Sequence, residues 1–199
     1  MSFSARRPSH FFDPLIGKTT TFLLKGRQAN IGFARTMMRL LAEAGAGCSI
    51  LDLDAFYSSN AGLVLAPLAD DGESSTIRVP VPGSDIEEGF SRLFEASQEV
   101  IVIDSLNSLY HLTSVEDGSS RSRKLTFALS ALSYLARTNA KAVVLSMYRR
   151  EGFARPGPNR SISGLSDVTA AVDIRGSELT ITTERGSAWP GGRFSTRAL

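Results

Sequence analysis

The chain has 199 residues, 42% of them hydrophobic, enough for one compact core without metals or disulfides. Its single cysteine, Cys48, excludes an internal disulfide and suits a reducing, cytoplasmic setting. No run approaches the roughly 20 apolar residues of a membrane span, the N-terminus lacks a signal peptide's apolar region, and a net charge of +2 does not by itself argue for nucleic acid.

Residues 1–18 carry Arg6, Arg7, two prolines and Phe11-Phe12 without any period, which predicts an arm that lays its aromatics on the domain or on a neighbouring subunit. The single domain is expected over 19–199. Gly17-Lys18-Thr19-Thr20 imitates the tail of a phosphate-binding loop but precedes the strand expected at Thr20 to Leu24, whereas such a loop must follow a strand. After that strand comes Gly26-Arg27-Gln28-Ala29-Asn30-Ile31-Gly32-Phe33, expected as a loop ahead of a helix over Phe33 to Ala44. Its position suits phosphate binding, but Gly32 and Phe33 stand where a lysine and a magnesium-binding hydroxyl would be needed. Arg27 or Arg35 could still meet a phosphate at the helix N-terminus.

Gly45-Ala46-Gly47 ends that helix, and Cys48 to Leu53 reads as a second strand leading into Asp52-Leu53-Asp54. Asp54 could orient an attacking water or cap the next turn. A short strand is expected over Thr76 to Val81, then a helix over Ile86 to Ser97 opened by a capping box between Ser84 and Glu87.

Val100-Ile101-Val102-Ile103 is a β-branched run suited to a strand buried on both faces of a parallel sheet, and it predicts the central strand. Asp104 follows at its carboxyl end, where open α/β sheets gather ligands and a carboxylate can hold magnesium through water; an Asp in that place can also cap a turn. His111 to Arg121 reads as a loop, Ser122 to Thr138 as a helix with apolar residues at 125, 128, 129, 132, 135 and 136, and Ala140 to Met147 as another buried strand.

The segment 148–164 then places Arg149, Arg150, Arg155 and Arg160 around Phe153, among glycines and prolines that exclude helix and sheet. Arginines for a backbone and a ring for a base suit single-stranded nucleic acid, although a solvated loop has the same composition. Val168 to Arg175 and Glu178 to Thr183 read as a strand pair turned at Gly176-Ser177, and Trp189 to Phe194 leads into a terminal strand or tail. His10 and His111 have no partners at metal-ligand spacing.

In this order the segments resemble the ATPase core of the RecA/RadA recombinase superfamily. Gly26 to Phe33 stands at the Walker A position, I-L-D-L-D (50–54) at the strand of the catalytic carboxylate, and V-I-V-I-D-S-L-N-S-L-Y (100–110) resembles the Walker B strand. R-K-L-T-F-A-L-S-A-L-S-Y-L-A-R (123–137) resembles the helix that follows, V-V-L-S-M-Y (143–148) the strand before the second DNA-binding loop, and R-P-G-P-N-R-S-I-S-G (155–164) the end of that loop. The resemblance implies a three-layer α/β fold with a twisted, mostly parallel sheet flanked by helices, and homo- or hetero-oligomeric association.

The departures matter equally. The Walker A Lys-Thr is missing, and Tyr148 occupies the sensor position where the recombinases carry Gln. That pattern resembles degenerate members of the superfamily: archaeal RadA paralogues that assist the recombinase, and the RecA-like subunits of Elongator, which bind tRNA as a ring. It implies a vestigial nucleotide site (Gly26, Arg27, Asn30, Gly32, Arg35) with vestigial Asp54 and Asp104, the latter holding magnesium if any is bound. No cofactor is expected, and ATP with magnesium would bind weakly. The expected partners are single-stranded DNA, tRNA, or RadA-like subunits, reached through Arg149, Arg150, Phe153, Arg155 and Arg160. A weak ATPase using Arg27 or Arg35, with Asp54 as base, is the third reading.

Overall fold

The computed structural model describes residues 11–66, 76–78, 86–112, 118–149 and 166–198. In chain order these form β1 (Thr19–Lys25), α1 (Gly26–Ala44), β2 (Cys48–Asp52), α2 (Phe56–Ser59), α3 (Ala61–Val64), β3 (Thr76–Arg78), α4 (Ile86–Phe94), β4 (Val100–Asp104), α5 (Leu106–Leu112), α6 (Gly118–Thr138), β5 (Ala142–Arg149), β6 (Val168–Arg175), β7 (Glu178–Arg185) and β8 (Arg193–Arg197). The strands make one eight-stranded sheet in the order β3-β2-β4-β5-β1-β6-β7-β8. The first six are mutually parallel, and β7 and β8 close one side antiparallel.

Strand alternation sorts the core into two layers. Phe22, Leu24, Ile50, Val100, Val102, Val144 and Val172 face one way and pack on Phe33, Met37, Met38 and Leu41 of α1. Leu23, Leu51, Ile101, Ile103, Val143, Leu145 and Met147 face the other way, against Leu93 of α4, Leu106 and Leu109 of α5, and Leu125, Leu129 and Leu132 of α6. Each of these fully buried side chains stabilises the fold by roughly 2 kcal/mol relative to exposure, so the sheet is sealed on both faces where helices lie. The β-branched run that flagged β4 exists because both its faces are covered. It lies inside the sheet between β2 and β5, parallel to both, one place from the middle pair β5 and β1.

Phe11, Phe12 and Leu15 are buried in the α1 layer. Phe11 stacks on Trp189 with ring centroids 5.5 Å apart, and the Trp189 indole N–H donates to the Phe11 carbonyl at 3.2 Å. The beginning and end of the described chain are thereby joined across the edge of the sheet. Lys18, which imitated a phosphate-loop lysine, donates instead to the Ser187 carbonyl at 2.8 Å, on the approach to β1.

Several boundaries differ from expectation. α1 begins at Gly26, not Phe33, and α6 at Gly118, not Ser122. α5 fills part of the expected 111–121 loop; at seven residues it is too short to show a period. Ser84 of the expected capping box lies outside the described residues, as do Arg150, Phe153, Arg155 and Arg160.

Gly186 follows β7 with φ +80°, and a Cβ there would overlap the Asp167 carbonyl oxygen. Gly186→Ala is expected to lower stability by about 2 kcal/mol, since both the left-handed backbone and the backbone contact oppose a side chain. Urea denaturation, with a lower midpoint and an unchanged m-value, would register it.

Candidate functional site

The carboxyl ends of β2, β4 and β5 bring together the polar residues that the sequence pointed to. In register, Asp52 of β2 lies beside Asp104 of β4, and strand parity turns both toward the α1 layer, as it does Ser146 and Tyr148 of β5. Asp104 and Asp52 are fully buried.

Asp52 has a structural role. Its two carboxylate oxygens accept from the backbone N–H groups of Phe56 at 2.7 Å and Ser58 at 2.8 Å, which anchors the turn into α2. The turn-capping role weighed for Asp54 therefore falls to Asp52, the buried last residue of β2, whereas Asp54 lies beyond the end of the strand. Asp54 is exposed and accepts from the Ser108 hydroxyl of α5.

Asp104 is built differently. Its Oδ1 accepts from the Tyr148 hydroxyl at 2.8 Å, and that hydroxyl accepts from Asn30 Nδ2 of α1 at 2.5 Å. Asp104 Oδ2 is buried without a hydrogen-bond partner. Burial pushes the carboxyl from its ordinary 3.8 up to about 7; the hydrogen bond from Tyr148 opposes the rise, and the charges of Asp54 and Asp52 add to it. Ser146 lies near enough to lower the value slightly but completes no hydrogen bond of good geometry. Burial likewise pushes the Tyr148 phenol well above its ordinary range, with the Asp104 charge acting the same way. Tyr57, buried in the same layer, is raised by burial first and then by Asp104.

Tyr148 is held in place from its backbone. The β4–β5 ladder ends at Ile103 and Leu145, and Asn107 of α5 substitutes for a strand neighbour. Its Oδ1 accepts from the Tyr148 N–H at 2.8 Å while its Nδ2 donates to the Tyr148 carbonyl at 3.4 Å. Sequence reasoning did not single out Asn107; its only signal is an amide shortly after a strand-ending Asp. The peptide bond between Asp104 and Ser105 is cis.

The expected nucleotide loop has no counterpart as a loop. β1 ends at Lys25 and α1 starts at Gly26, so Gly26, Arg27, Asn30 and Gly32 are all helical, and no irregular backbone is left to wrap around phosphates. The segment contains no proline and few glycines, so the helix extends back to the strand. Gly32 is needed for packing: a Cβ there would overlap the Ile174 side chain of β6. Arg35 lies five residues beyond Asn30, roughly 140° around the helix, and does not share the face that reaches Tyr148. It occupies the flank of Arg39, whose guanidinium donates to Thr196 Oγ1 at 3.1 Å and to the Arg197 carbonyl at 3.2 Å of β8.

The residues around Asp104 do not fit a magnesium ion of the kind the nucleotide-binding resemblance implies. Magnesium keeps several waters and takes ionised carboxylate oxygens at octahedral positions. Asp104 is sealed from water, shares one oxygen with a phenol and keeps its proton on about half the molecules near pH 7. Among the described residues no group of three or more His, Cys, Asp or Glu is placed to hold a metal ion.

Arg149 is the last residue of β5, beside Lys25 at the end of β1 in the parallel register. The segment 150–165 that carries the other expected nucleic-acid residues lies outside the described residues, so the structure brings only the start of that segment to the site. Among the described residues no helix is long and apolar enough to cross a membrane.

No protein-family model matches the chain, and no curated protein does either. Solved structures do match. A crystal structure of the RadB recombinase aligns over 92% of this chain and 88% of its own, with a TM-score of 0.59 and 15% sequence identity. The chain thus has the RecA-like three-layer α/β fold that its ordered motifs implied. At that identity the likeness is one of fold.

Proposed function

We propose that this protein is a RecA-fold accessory factor of recombination that has given up nucleotide hydrolysis and binds single-stranded DNA or a RecA-like partner through the segment 148–164. The observation that carries the reading is the Asn30–Tyr148–Asp104 chain, which fills with side chains the place where a hydrolase would need an ionised carboxylate and a phosphate. The uninterrupted passage from β1 into α1 supports it as well. The structural neighbour is named a recombinase, which favours DNA as the polymer. The basic segment leaves the sheet at its carboxyl edge, where Lys25 is exposed next to Arg149.

Anisotropy titration of labelled oligothymidine and of tRNA at two salt concentrations tests this. Single-stranded DNA is expected to bind more tightly than tRNA. Replacing Arg149, Arg155 and Arg160 together by Ala is expected to weaken DNA binding at least tenfold and to flatten the log–log salt slope by roughly two, at about 0.7 per lost phosphate contact. A triple variant that binds DNA like the parent would overturn the assignment of the segment. Preference for tRNA would move the reading to an Elongator-like ring subunit.

A further inference from the structure

The outer face of α6 is built unlike any other exposed helical surface among the described residues. Its inner face buries Leu125, Leu129, Leu132, Leu135 and Ala136. Phe127 and Tyr134 point the opposite way and are 75% and 71% exposed, the largest values among the exposed large hydrophobic residues. They stand seven residues apart, two turns and about 10 Å along the axis, with half-buried Ala131 between them and exposed Arg123 one turn before Phe127. The helix carries Arg121, Arg123, Lys124 and Arg137 and contains neither Asp nor Glu.

We infer that this face docks an acidic amphipathic helix of another protein. The seven-residue spacing of the two rings is the interval at which a partner helix repeats its apolar positions, so one ridge of the partner lies along Phe127, Ala131 and Tyr134. Exposed Arg123 on a helix without any carboxylate selects an acidic partner and works against a second copy, because a two-fold pairing of α6 with itself would bring together two faces that both lack acidic groups. Single-stranded nucleic acid fits less well. Arg137, at the Tyr134 end, is engaged by Asp167 at 2.5 Å, and the rings stand on a convex helix, not in a groove that could follow a backbone. The surface lies on the opposite layer of the sheet from the Asp104 site and does not depend on the reading proposed for that site.

The test uses the full chain and two fluorescein-labelled peptides of one Glu, Leu and Ala composition: one with leucines at the first and fourth positions of each heptad, one with the leucines scattered. The heptad peptide is expected to bind at about 10–100 μM and the scattered one at least tenfold more weakly. Phe127→Ser and Tyr134→Ser should each weaken the heptad peptide at least fivefold, with unchanged melting temperature and unchanged binding of oligothymidine. Equal binding of the two peptides would overturn the proposal, as would serine variants that lose oligothymidine and keep the peptide. Sedimentation showing a parent dimer that Phe127→Ser dissolves would also overturn it, in favour of self-association.

Discussion

Replacing Asp104 by Asn is expected to stabilise the protein at pH 8 by about 4 kcal/mol and at pH 5 by only about 1 kcal/mol. In the unfolded chain this carboxyl ionises near 3.8, whereas in the folded chain it keeps its proton up to about pH 7. Between those values unfolding releases a proton, so stability falls as pH rises through the window and levels off above it. At about 1.4 kcal/mol per unit, the whole displacement amounts to roughly 4 kcal/mol, of which roughly 3 falls between pH 5 and pH 8. Asn keeps an acceptor for the Tyr148 hydroxyl and carries no charge, and its amide has Ser146 Oγ, buried and without a partner, close by. Chemical denaturation of parent and variant at the two pH values would read the difference. A hydrolase that relied on this carboxylate to bind magnesium would show no such gain.

Tyr148→Phe is expected to destabilise the protein by about 4 kcal/mol at pH 8 and by clearly less at pH 5. The substitution preserves the ring and removes one oxygen, leaving Asp104 Oδ1 and Asn30 Nδ2 without the partner each now has. Stranding a buried polar group costs about 1–3 kcal/mol, and more when it is charged, so the loss is greatest where Asp104 is ionised. Combining the two substitutions should recover part of the pH 8 deficit, because the neutral amide no longer leaves a charge unpaired. A recovery equal to what Asp104→Asn gains on its own would mean that the two groups act independently.

What could be read directly from the chain were the features whose cause is local. The β-branched run of β4, the apolar stripe of α6 and the antiparallel pair β6–β7 each announce themselves within a dozen residues. The start of α1 was hidden because the reason for Gly32 lies at Ile174, far along the chain: a glycine admitted for close packing looks like a glycine admitted for a loop. Where β2 ends decided between Asp52 and Asp54: the strand stops at Asp52, which is buried, and Asp54 lies past its end and is exposed. The link from Asn30 through Tyr148 to Asp104 joins three elements separated by 44 residues or more, and no local pattern encodes it. The exposed rings of α6 were legible only as residues missing from its apolar stripe.

The account rests on a nucleotide place closed by Tyr148 and by a helix that starts without a phosphate loop. Thermal denaturation with and without 5 mM ATP and magnesium tests that closure most directly. A ligand held a hundredfold below its working concentration adds about 2.7 kcal/mol, or roughly 5–10 °C for a chain of this size. The account predicts no change in melting temperature; a rise of that size, abolished by Asp104→Asn, would contradict it.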